Sequence, residues 1–187
     1  AEARRSLPLK KAREIQTHLL SDVVDLPNAA CRFVHVPAEA VAGDYLEVLR
    51  GENGEILLCL GDVSGHDIAA AMGAAMLKAL FLAASQQFGD PSKILCAMNS
   101  GMYRASLPED FASVMVMRID ADSEQIEYAS AGHEPGLLMY GDKILKLMPT
   151  GPLLGIAEDS RWRLGTEDCS AGSRIVVYTD GLVEWPG

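Results

Sequence analysis

Three aspartates stand beside a glycine where an apolar run begins or ends, and this constrains the fold more than any other feature of the chain. Asp44 lies in Ala42-Gly43-Asp44-Tyr45, Asp62 in Gly61-Asp62-Val63-Ser64-Gly65-His66, and Asp180 in Tyr178-Thr179-Asp180-Gly181-Leu182. One Asp-Gly pair is a turn and nothing more. Three of them, far apart in sequence and each abutting a strand-like run, point to rigid strand ends that hold short carboxylates outward. Hard divalent cations take oxygen ligands held in this way, and glycine leaves room for backbone carbonyls and water. The pattern predicts a shared metal site and a metal-assisted hydrolase.

The chain has 187 residues, enough for one domain with a sizeable core. A formal net charge of -10 argues against nucleic acid, whose phosphates call for Lys and Arg. The apolar segments 56–60 and 69–84 read as too short or too interrupted to span a bilayer, so no membrane insertion is expected. Residues 1–5 lack an apolar signal core. Cys31, Cys59, Cys96 and Cys169 form no CxxC pair and read as thiols in a reducing, cytoplasmic compartment.

The element order follows from periodicity. Residues 9–20 carry a helix pattern, with Ile15, Leu19 and Leu20 apolar among charges. Pro27-Asn28 breaks the chain, and residues 31–36 alternate as a strand up to Pro37. Residues 44–49 and 56–60 flank an Asn53-Gly54 turn and predict a hairpin. Residues 67–88 and 92–104 predict two helices in an antiparallel pair, separated by Gly89-Asp90-Pro91. Strands follow at 112–119, 125–130, 136–140 and 143–147, with turns at Asp122-Ser123 and Gly141-Asp142, and a last strand at 174–179. Strands, two helices, then strands indicate an α+β fold of packed sheets with helices outside.

Five segments, in order, resemble the bacterial, sporulation-stage-II-E-like branch of the PPM serine/threonine phosphatases (the protein phosphatase 2C fold). They are the three aspartate motifs, Ala129-Ser130-Ala131-Gly132-His133-Glu134-Pro135, and Gly151-Pro152-Leu153-Leu154-Gly155-Ile156. The resemblance implies two packed antiparallel β-sheets flanked by α-helices, an αββα sandwich. It implies hydrolysis of phosphoserine or phosphothreonine on a signalling partner, such as an anti-sigma-factor antagonist, with two Mn2+ or Mg2+ ions. Carried over, Asp62 resembles the ligand bridging both metals, Asp44 and the Val63 carbonyl ligands of one, and Asp180 a ligand of the other. Residues 1–20 are expected to be a linker helix from an upstream sensor or regulatory domain, and 21–187 the phosphatase domain. In this branch an upstream sensor or bound partner is thought to act through helices, often in a dimer. A homodimer through the N-terminal and switch helices is therefore a further expectation. Family members continue past the Thr-Asp-Gly motif through a helix and a strand bearing a further aspartate. The sequence stops at Gly187, so the expectation is a C-terminally truncated domain with little turnover of its own.

Each residue also has a bland reading. Asp44 and Asp180 read alone are turn residues, and Asp62 read alone is a cap for the helix that follows. Asp67, where the family often has glycine, is either an extra carboxylate near the site or a favourable charge on a helix N-terminus. His66 reads as a rim histidine, and His133 as a structural histidine in a strand-turn. Met72, Met76, Leu77 and Leu80 read as one core stripe, and Met115 and Met117 as core on one face of a strand. Two other functions fit the sequence: a phosphatase-fold binding module without turnover, and another metal hydrolase such as a nuclease, which the acidic charge disfavours.

Overall fold

The computed structural model describes residues 2–19, 29–37, 40–51, 54–107, 109–120 and 124–183. Helix α1 spans Glu2–Leu19. Strands β1 (Asp44–Arg50) and β2 (Ile56–Val63) form a hairpin closed by Gly54 at φ 89°. Asn53 of that turn, Asp122-Ser123 and Pro27-Asn28 lie outside the described residues. Helices α2 (Asp67–Ser85) and α3 (Pro91–Ala105) follow, then β3 (Ala112–Asp120), β4 (Gln125–Ala131), β5 (Gly136–Tyr140) and β6 (Lys143–Leu147). Two short strands, β7 (Gly165–Asp168) and β8 (Arg174–Val176), and a 3-10 turn at Asp180–Leu182 complete the order.

Both sheets are antiparallel. One runs β1-β2-β3-β4-β7 and the other β6-β5-β8. Strand β3 joins the two cores by simple alternation: Val114 and Val116 face the helices, while Met115 and Met117 face the second sheet, and all four are fully buried. Helix α2 packs because Ala70, Ala74, Leu77, Phe81 and Ala84 recur at helical spacing on one buried stripe. Helix α3 starts where Asp90 accepts from the Ser92 and Lys93 amides at 2.8 and 3.4 Å, with Pro91 in the first turn. It buries Ile94, Leu95, Met98 and Met102 against the five-stranded sheet. Asn99 of α3 pins the following loops, donating to the Ala157 carbonyl at 2.9 Å and accepting from the Gly155 amide at 2.8 Å.

Several expectations need correction. Residues 31–36 form no strand: Val34 and Val36 are 88% and 80% exposed, so their alternation has no sheet to bury it. Met72 is 69% exposed and leaves the core stripe, whereas Leu77 is fully buried and Met76 and Leu80 pack against the core. Helix α1 begins at Glu2 and runs through Pro8, α2 stops at Ser85, and β8 stops at Val176. Strand β7 was not foreseen, because Gly165-Thr166-Glu167-Asp168 is a polar edge strand with no apolar period. Ile68–Ser85 of α2, with mean hydropathy 1.8, is long and apolar enough to cross a membrane by length and composition. In this fold it lies against β1 and β2 and carries Lys78 in a polar contact with β1.

Candidate metal centre

Asp44 opens β1 and Asp62 lies one residue before the end of β2, and the antiparallel register sets them directly opposite one another. Opposed residues project to the same face of a sheet, so the two carboxylates share one side at close range. Asp180 arrives from the 3-10 turn after β8 and acts electrostatically on both, raising their affinity for protons. Burial is the largest cause for Asp62, followed by Asp44 and Asp180, and together they push it up to about 6. Asp44 is also raised, chiefly by burial; a hydrogen bond with Thr179 and the neighbouring His35 oppose the shift. The fold thus gathers three sequence-distant carboxylates whose repulsion a cation would relieve.

Gly43 has a spatial reason to be glycine. A Cβ there would lie 2.6 Å from the Val63 carbonyl oxygen, 3.1 Å from Asp62 Oδ1 and 3.3 Å from the Ala70 methyl. The same contacts place the Val63 carbonyl beside the Asp62 carboxylate. The donors here are all oxygens: carboxylates from three elements and one main-chain carbonyl, which suits Mg2+ or Mn2+ rather than a soft metal. Among the described residues no three carboxylate, imidazole or thiol side chains close on one point tightly enough to hold an ion by themselves. Carbonyl and water oxygens therefore have to complete any shell, as is usual for Mg2+.

His133 lies behind this cluster. It is 2% exposed, and its Nδ1 is 2.7 Å from the hydroxyl of Ser113, which pairs with Asp62 in the β2–β3 register. Burial lowers its pKa to about 4, against the opposing pull of the Tyr178 backbone, Asp180 and the Ser113 backbone, so the ring is neutral near pH 7. His66 sits exposed at the N-cap of α2, without a side-chain bond to the cap. Of Asp67 only the backbone, as first residue of α2, is described.

Sequence reading missed His35, Thr179 and Gln16. His35 stands in an irregular segment with no periodic signal, and Thr179 belongs to a motif read for Asp180 alone. His35, Asp44 and Thr179 line a cavity of about 1090 Å³ between the sheets, whose walls include Leu46, Leu58 and Val177.

Two stacked antiparallel sheets with a helix pair packed on one of them are the architecture of the PP2C phosphatase class. The family described as Stage II sporulation protein E (SpoIIE) matches residues 52–186, and the chain belongs to it. Asp62 and Asp180 fall inside that stretch and Asp44 before it. Phosphoserine phosphatase RsbU of Bacillus subtilis (strain 168) is 29% identical over 154 residues, covering 81% of this chain and 45% of RsbU. The SiaA-PP2C domain of Pseudomonas aeruginosa superimposes with a TM-score of 0.80 at 18% identity, covering 97% of this chain and 74% of that one. RsbX, solved in complex with magnesium, superimposes at 0.65 with 20% identity, covering 78% and 69% of the two chains. The chain spans less than half the length of the curated relatives it matches.

Proposed function

We propose that this chain is a metal-dependent phosphoprotein phosphatase domain that hydrolyses phosphoserine or phosphothreonine on a signalling protein, an anti-sigma-factor antagonist being one such substrate. The observation that carries the reading is the meeting of Asp44 and Asp62 across one rung of β1 and β2, with Asp180 acting on both. The relationship to RsbU, named a phosphoserine phosphatase, supports the substrate class. The magnesium in RsbX supports the choice of ion.

In this reading Asp62, Asp44, the Val63 carbonyl and Asp180 are the groups that would hold two Mn2+ or Mg2+ ions. The chemistry that such ions would supply there is a lowered pKa for a bound water and neutralisation of phosphate charge. The protein's own residues do the rest. Asp44 and Asp62 keep a fixed separation because both sit on hydrogen-bonded strand ends rather than loops. Gly43 keeps the Val63 carbonyl in reach by offering no side chain to displace it. Neutral His133 holds the Ser113 hydroxyl on the strand behind Asp62 without adding a proton that titrates near pH 7. No cysteine nucleophile is needed: all four thiols are free, which suits action in the cytoplasm.

The test is manganese-dependent release of phosphate from a phosphoserine-bearing protein, comparing the wild type with Asp62→Asn. The expected loss is about a hundredfold or more. A wild type that binds no divalent cation by calorimetry, or an Asp62→Asn chain that works equally well, would sink the reading.

A further inference from the structure

We propose that His133 is a positioning residue for Asp180, bridging the segment that carries this aspartate to the strand rung that holds Asp62. The inference rests on the reading of Asp180 as a metal-binding group. Its own basis is the place of one buried ring between two chains. On one side is β3: the ring Nδ1 lies 2.7 Å from the hydroxyl of Ser113, the cross-strand partner of Asp62. Opposed residues on bonded strands keep a fixed spacing, so the imidazole is tied to the rung that carries Asp62.

On the other side is the chain that leaves β8. Strands β5 and β8 pair Leu138 with Ile175 and Leu137 with Val176. In an antiparallel pair each residue back along one strand matches one residue forward along the other. Carried past the strand ends, this register sets Gly136 beside Val177 and His133 level with Asp180. The first step is met in space, because a Cβ on Gly136 would lie 3.3 Å from a Val177 methyl. Around the ring itself, the Tyr178 main chain and the Asp180 charge both favour the protonated form, which marks them as its neighbours. Nε2 is buried and completes no hydrogen bond among the described residues. The ring therefore meets this segment by close packing rather than through a full bond to Nε2.

The three aspartates are fixed by different means. Asp44 and Asp62 share a rung of the β1–β2 ladder. Asp180 opens a three-residue 3-10 turn beyond the end of β8 and has no ladder of its own. Its neighbour Thr179 hydrogen-bonds Asp44, which ties the turn to β1. His133 supplies a second tie, to the rung of Asp62 and Ser113. At 2% exposed the ring is enclosed by packing and acts as a rigid spacer. Its removal leaves Asp44 and Asp62 paired and lets Asp180 move against them, and small displacements at such a centre carry large factors.

The experiment uses the whole chain and reads two quantities. Amide exchange in the metal-free protein follows Leu182 and Val183, whose amides donate to the Thr179 and Asp180 carbonyls at 3.1 and 2.8 Å and so report the order of the turn. In His133→Ala both are expected to exchange about threefold faster or more. Calorimetric titration with Mn2+ reports the effect on the carboxylates. In His133→Ala the affinity is expected to fall about tenfold, within the range that loss of a supporting group costs a metal site. The same substitution made in Asp180→Asn should cost less than about twofold, and made in Asp44→Asn it should cost the full factor, because a residue that acts through Asp180 has nothing to position once that carboxylate is gone. His133→Asn keeps an amide near the Nδ1 position for Ser113 but loses the far side of the ring, so intermediate values are expected. Leu138→Ala, in the buried core of the second sheet, lowers stability without touching the cluster and should leave Mn2+ affinity at the wild-type level.

Unchanged exchange at Leu182 and Val183 in His133→Ala overturns the bridge. Faster exchange with unchanged Mn2+ affinity overturns the positioning role, as does a loss of affinity that persists in full in Asp180→Asn or appears equally in Leu138→Ala. Should His133→Ala fail to fold, His133→Asn decides by the same two readings and the same pairing with Asp180→Asn. A wild type that binds no Mn2+ takes the positioning role down with the proposed function, and the exchange of the Asp180 turn separates that failure from a missing bridge.

Discussion

Asp44 and Asp62 face each other across the first rung of an antiparallel ladder, where two like charges are unfavourable neighbours. Strand pairing holds them there, so the repulsion is built into the fold rather than relaxed by side-chain rotation alone. That strain toward a positive charge has measurable consequences in the metal-free protein.

The first is a pH dependence of stability. Asp62 titrates at about 6 in the folded chain against an ordinary 3.8. The folded state therefore binds more protons than the unfolded state between these values. Its stabilising contribution is complete below about pH 4 and is lost as pH rises through 6. Because the group is partly open to solvent, the effect after screening is about 1 kcal/mol. With chelator present, Asp62→Asn should be more stable than the wild type at pH 7 by about this amount, and the gap should close by pH 4. Urea midpoints at the two pH values check this; a less stable Asn variant at pH 7 contradicts it.

His133 should produce the opposite slope. Its pKa falls from 6.5 to about 4 on folding, so the unfolded chain binds the extra proton. Stability is present above 6.5 and is lost as pH falls toward 4, by about 3 kcal/mol for this buried ring. In the wild type Asp62 partly masks the trend. Asp62→Asn should expose a steeper loss between pH 6.5 and 4.5, and adding His133→Ala should flatten it while lowering stability overall by about 2 kcal/mol through loss of the Ser113 bond and packing. Denaturation of the single and double variants across that range separates the two groups.

Gly43→Ala tests the close approach at the strand end. The new methyl would meet the Val63 carbonyl at 2.6 Å, and that atom is backbone, so the hairpin end must shift. A cost of about 1–3 kcal/mol is expected, together with weaker Mn2+ binding because the carbonyl and Asp62 move apart. A Gly43→Ala chain with wild-type urea midpoint and wild-type affinity would show that the approach is not required.

How far the sequence discloses this arrangement depends on the kind of signal each residue leaves. Asp44, Asp62 and Asp180 are legible because each interrupts an apolar run beside glycine, and β3 is legible because both its faces are apolar. The sheets and the helix pair follow from the same periodicity. Residues 31–36 mislead because alternation describes side chains and says nothing about whether a partner strand exists. Met72 misleads because it lies on the side of α2 turned away from the Ala70, Ala74 and Leu77 stripe, although those neighbours in the same turns are buried. Gln16 leaves no signal at all: its role lies in two bonds to Ala42, a backbone 26 positions away, which no side-chain pattern encodes. His35 and Thr179 are hidden for a related reason, since only the packing of the sheets brings them to Asp44.

Lys78 and Glu47 give the last prediction. Their side chains are 20% and 6% exposed, and the ammonium also serves the Leu19 carbonyl. The Tyr45 hydroxyl lies 3.5 Å from the same Glu47 oxygen, and burial raises its pKa strongly, so it remains a neutral donor and cannot replace the lysine charge. Lys78→Met therefore takes the ammonium away from a buried carboxylate and frees the end of α1, at an expected cost of about 2 kcal/mol or more. Glu47→Leu in the same chain removes the buried charge as well, and the double variant should recover most of that loss, because apolar replacements of a buried pair are close to neutral. The Leu19 carbonyl stays without its donor in both. Stability should therefore return in the double variant while protection of the Leu19 end of α1 does not, as read by urea denaturation and amide exchange on the same samples. Recovery of both would mean that Lys78 matters to Glu47 alone and that α1 is held by its other contacts.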